Sequence, residues 1–175
     1  MSVFGWKNVL RNYGWRGILV DSILPVMISS VLCVVMYLND ADIYLQLRHI
    51  TEIGIAVVPA MVALILTAYT IMLAFIIGDK FTSIKETEAG KNLIKGLNAS
   101  FAACLFVSTI SIIAMIITSS IANMEIGFNN PNIINYPVYF LLCYLLVYSV
   151  SILIGIVIDI FNSGQTALLD GPSGV

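Results

Sequence analysis

Residues 53–78 read IGIAVVPAMVALILTAYTIMLAFIIG, an uncharged run bounded by Glu52 and Asp79. As an α-helix these residues extend about 39 Å, more than the roughly 30 Å hydrocarbon core of a bilayer, so the run spans with room for tilt. Within it, Ala56, Ala60, Ala63, Thr67, Thr70 and Ala74 recur at steps of four and three. That spacing lines small side chains along one narrow stripe and leaves the bulky residues, Leu64 to Leu66 and Ile71 to Leu73 among them, for the other faces. Association of helices in lipid depends on close van der Waals approach, so the stripe predicts a packing seam, and this second span is expected to be the helix on which its neighbours pack. Ala and Thr are also common in membrane helices without such a role.

Composition agrees. The 175 residues are 59% hydrophobic and 10% charged, with mean hydropathy +0.99, against about 25% charged residues in soluble globular domains. The expected fold is an all-α integral membrane protein with four transmembrane helices, at about 17–38, 53–78, 98–122 and 137–158. Residues 17–161 then form one transmembrane domain, with a short interfacial helix before it (1–16) and a cytosolic tail after it (162–175). That length leaves no room for a separate soluble catalytic domain.

The opening segment, MSVFGWKNVLRNYGWR, has neither the apolar region nor the cleavage site of a signal peptide. As a helix it sets Val3, Trp6, Leu10 and Tyr13 on one face, away from Lys7 and Arg11. Trp6, Lys7, Arg11 and Trp15 therefore read as an interfacial anchor. Asp21 is the lone charge of the first span, little more than a turn from Arg16. An intramembrane carboxylate is a functional candidate by default, and at this shallow depth a local ion pair also accounts for it.

Residues 39–52 are expected to form a loop with a solvated His49, and 79–97 a hydrophilic connection. The latter carries Lys80, Lys85, Lys91 and Lys95, a Ser83/Glu86 capping box and a stop at Gly90. The third span carries Ser100, Cys104, Ser108, Ser111, Thr118 and Ala122 along one stripe, interrupted by Met115. Such hydroxyls bond to backbone or across helices, which turns the stripe toward protein, though the same stripe suits the wall of an oligomeric pore. Residues 123–136 read as a loop, and Tyr136, Phe140, Tyr144 and Tyr148 form an aromatic ridge along the fourth span.

Seven of the eight basic residues fall in the N-terminal segment and the loop after the second span. The positive-inside rule then places both termini and the lysine loop in the cytoplasm. Catalysis is not expected: His49 is the sole histidine, Cys33, Cys104 and Cys143 lie in apolar runs, and no nucleotide motif occurs. Neither a metal site nor a cofactor is indicated, and no basic patch suggests direct nucleic-acid binding.

The basic aromatic arm, the first span opening LVDSILPVMIS, the second span IGIAVVPAMVALILTAYTIMLAF and the lysine-bearing loop together resemble the small four-span subunits of bacterial phage-defence operons. In particular they resemble the membrane component of the Kiwa system. That resemblance implies a sensor of envelope disturbance acting through a cytosolic DNA-binding partner, with residues 79–97 and the tail as docking surface; it transfers no residue-level role. The resulting expectation is a non-enzymatic sensor or scaffold of the bacterial inner membrane, embedded in the lipid bilayer. It homo-oligomerises and engages a cytosolic effector through Lys80, Lys85, Glu86, Lys91 and Lys95. The alternatives are an oligomeric pore-former of the holin or toxic-channel kind and a small-ion transporter using Asp21.

Overall fold

The computed structural model describes residues 14–77, 87–123 and 131–169. Four helices account for almost all of them: α1 (Trp15–Leu38), α2 (Ile43–Ile77), α3 (Glu88–Asn123) and α4 (Pro131–Leu169). Each contains a span long and apolar enough to cross a membrane, and large apolar side chains such as Leu19, Leu64, Ile113 and Ile154 cover the outside. The chain is thus a multi-pass membrane protein, an all-α four-helix bundle. The N-terminal helix expected over 1–16, with Trp6, Lys7 and Arg11, lies outside the described residues but for its last positions. So do Lys80, Lys85, Glu86 and the Ser83 capping box. Trp15 is the first residue of α1.

The helices are longer than the spans read from composition, and local chemistry explains each extension. The expected loop at 39–52 shrinks to four residues. Asp40 adopts the left-handed conformation (φ 46°), and the N–H groups of Ala41 and Asp40 return to the carbonyls of Met36 (3.1 Å) and Tyr37 (3.4 Å). That is a Schellman close with Asp where Gly is commoner. Asp42 then caps α2, its Oδ1 accepting from the N–H groups of Tyr44 (3.0 Å) and Leu45 (3.4 Å). Arg48, His49 and Glu52 are therefore helical, not loop residues.

Gly90, expected to stop a short helix, instead lies within the first turn of α3. Its N–H donates to Thr87 Oγ1 at 3.0 Å, so Thr87 supplies the cap and the helix runs unbroken into the third span. Likewise α4 begins at Pro131, where a missing N–H costs nothing, and carries Pro137 inside. Its far end reaches Leu169, which makes residues 162–169 of the expected tail helical.

Two buried clusters hold the bundle. Near the α1–α2 turn, Met36, Ile43, Leu47, Val58, Met115, Tyr139, Leu142 and Cys143 join all four helices. Toward the other end, Ile65, Met72, Leu97, Phe101, Cys104, Tyr148, Ile152 and Ile156 join α2, α3 and α4. α4 packs along each of the other three helices, whereas α1 packs chiefly on α4. The expectation that the second span is the hub is therefore corrected: α4 occupies that place, because buried and half-buried positions run around more of its circumference than around that of α2.

Candidate functional site

The buried face of α2 consists of Gly54, Val58, Met61, Ile65 and Met72. The predicted seam lies elsewhere: Ala56, Ala60, Ala63, Thr67, Thr70 and Ala74 are all exposed on the outer face of the helix. The neighbours of α2 within the chain do not pack on that seam. The physical reason is shape: α3 presents bulky Met115 and Phe101, which fit against Gly54 and between larger residues and gain nothing from a smooth small-residue strip. Thr67 and Thr70 donate their hydroxyl protons to the carbonyls of Ala63 (2.9 Å) and Leu66 (2.8 Å). With their donors satisfied inside the helix, the strip offers an uninterrupted groove for the backbone of another helix.

The hydroxyl stripe of α3 turns toward protein, as the packing reading expects, but its buried hydroxyls make no bond across helices among the described residues: Ser111 Oγ reaches Met115 Sδ of its own helix at 3.9 Å, and Ser108 Oγ has no hydrogen-bond partner there. Cys104, Ser108, Ser111 and Met115 are fully enclosed, while Ser100, Thr118 and Ala122 are half-buried. Met115, the interruption in the stripe, fills the notch left by Gly54. The aromatic ridge of α4 also faces protein. Tyr148 is buried, and Tyr136, Phe140 and Tyr144 are half-buried.

An interhelical hydrogen bond helps fasten α1. Ser22 Oγ donates to its own-helix carbonyl of Ile18 at 2.6 Å, so its lone pair accepts from Tyr144 Oη at 3.0 Å. Tyr144 stacks on Tyr148 with ring centroids 5.5 Å apart and planes 12° from parallel. Asp21, half-buried beside Ser22, lies within electrostatic reach of Tyr148 and of Asp159. Tyr144→Phe is expected to weaken the docking of α1 by about 0.5–1 kcal/mol, the scale of hydrogen bonds between helices in lipid. Denaturant titration in detergent measures it, and Ser22→Ala added to Tyr144→Phe should cost little more.

Lys91 and Lys95 are exposed in the first turns of α3, and Lys91 Nζ is 3.4 Å from Glu88 Oε1. Such an exposed pair contributes little to stability and leaves the lysines available to a partner. Cys33, Cys104 and Cys143 are free thiols. Among the described residues no group of three His, Cys, Asp or Glu side chains is placed to hold a metal ion.

Composition alone concealed Arg48, His49 and Glu52. His49 and Glu52 extend the exposed strip of α2 toward its N-terminus, with His49 Nδ1 3.8 Å from Glu52 Oε2. The signal for their helical state was present in the apolar residues beneath them: Ile43, Leu47, Ile50 and Gly54 keep a helical period straight through the charges. Comparison with known proteins finds no matching family model, no matching curated protein and no matching solved structure.

Proposed function

We propose that the chain is a non-enzymatic scaffold or sensor subunit of a bacterial inner membrane, which self-associates along the outer face of α2 and engages a cytosolic effector. The observation that carries this reading is the outward seam: six small residues, a pattern suited to close helix approach, face away from the rest of the chain. The distribution of lysine and arginine orients both termini and the α2–α3 connection to the cytoplasm. Lys91 and Lys95 stand exposed on that side as a docking surface. The architectural resemblance to the Kiwa membrane subunit fits an anti-phage role.

The pore-forming alternative draws less support, since the α3 hydroxyls it needs at a channel wall are enclosed within the bundle. Transport through Asp21 draws less still, as that side chain sits near one end of α1. Affinity capture from mild detergent tests the proposal, with charge reversal of Lys85, Lys91 and Lys95 as the contrast. A soluble partner retained by the parent chain and lost from the variant is the expected outcome. Recovery of no partner by either form contradicts the effector role, and dye release from liposomes holding the purified chain favours a pore.

A further inference from the structure

The apolar run of α1, Gly17–Leu38, is 22 residues, about 33 Å, which barely exceeds the roughly 30 Å of hydrocarbon it must cross. Leu38 lies at the end of this run. Tyr37, Tyr44 and Tyr136 cluster at the same end, the first and last in edge-to-face contact with centroids 6.3 Å apart, as an interfacial aromatic belt requires. The four-residue turn does not lift the chain away from this level, because Ala41 bonds back to Met36 and Met36, Ile43 and Leu47 share one cluster.

Arg48, His49 and Glu52 lie about 7–14 Å along the helix from Ile43, just ahead of the uncharged run 53–78, at the membrane boundary of that span. The side chains of His49 and Glu52 are 55% and 63% exposed. At about 100° per residue, Leu45, His49 and Glu52 fall in the same arc of about 80° as Ala56, Ala60, Ala63, Thr67, Thr70 and Ala74. All nine residues are exposed. One face of α2 therefore combines a groove for a second backbone with a base and an acid at its boundary end. The 3.8 Å between His49 and Glu52 is too long for a hydrogen bond.

We infer that this face receives α2 of a second copy of the chain in the same membrane orientation, with His49 of each copy paired to Glu52 of the other. A two-fold contact places the same residues on both sides, so a patch that meets itself must be self-complementary. A base and an acid one turn apart satisfy that condition, and small residues below them let the helices approach. Like charges brought together across the contact are disfavoured, so the couple also sets the register and direction of the contact. This pairing rests on the self-association proposed above and specifies its geometry.

The test uses the full chain with Cys33, Cys104 and Cys143 replaced by Ala and Ala63→Cys as a reporter on the seam. Two differently tagged forms, one with His49→Glu and one with Glu52→His, are co-expressed and oxidised in native membranes. The mixed disulfide dimer is expected to exceed either like-with-like dimer by about tenfold, and the form retaining His49 and Glu52 should cross-link as well as the mixed pair. Equal yields of all three dimers overturn the His49–Glu52 pairing while leaving association along the seam intact. Absence of any dimer, even with His49 and Glu52 retained, overturns the self-association and the pairing with it; a lipid as sole occupant of the face produces that result.

Discussion

Gly54→Leu is expected to destabilise the bundle by about 3 kcal/mol, the upper range for overpacking a closed core. Even a Cβ at position 54 overlaps the Sδ and Cε atoms of Met115, and Met115 is fully enclosed among Val58, Leu142 and Cys143. A methyl group alone is tolerable, since a thioether end can rotate aside; Gly54→Ala should cost a fraction as much. A leucine has nowhere to go without separating α2 from α3. Trimming the opposing side chain restores the space, so Met115→Ala in the Gly54→Leu background should recover most of the loss. Unfolding in detergent by denaturant titration measures all four corners of this cycle, and strictly additive effects would show that the two positions do not meet.

The second large effect is expected at Phe101, which is 1% exposed and packs its ring 5.1 Å from that of Tyr69. Phe101→Ala opens a void at the junction of α2, α3 and α4. In a soluble protein such a change loses transfer free energy as well as packing. Here the helices separate into hydrocarbon that is as apolar as the core, so mainly the void term remains. At about 24 cal/mol per Å³ over roughly 100 Å³, that term amounts to about 2–3 kcal/mol. The same titration checks it, and Phe101→Leu, which fills most of the space, should lose less than half as much. A cost near zero for Phe101→Ala would mean that the cluster around Ile65, Tyr148 and Ile152 does not hold these helices together.

Four membrane-crossing helices were legible because long uncharged runs have few alternatives in lipid, where every backbone group must be bonded within its own segment. The α3 stripe was legible too: Cys104, Ser108 and Ser111 are polar enough to prefer protein over hydrocarbon, so their spacing disclosed the buried face. Helix ends were not. A Schellman close with Asp40 at the left-handed position looks like ordinary loop chemistry, and Asp42 and Thr87 are caps only once the following N–H groups turn toward them. Arg48, His49 and Glu52 fall in an expected loop because charge usually marks the edge of a span. The helix continued beneath them on Ile43, Leu47 and Gly54.

The amino-acid sequence by itself determined that lipid is the solvent, how many times the chain crosses it and which stretches do so, since these follow from transfer of whole segments and need no partner. Only the tertiary structure decided which face of each helix turns inward. Ala56 to Ala74 and Gly54 to Met72 are both plausible packing stripes on α2, and the choice fell to Met115 and Phe101 of α3, whose bulk fits one stripe and not the other. Between apolar faces in an apolar solvent, shape is the term that separates them, and shape exists only when both surfaces are present.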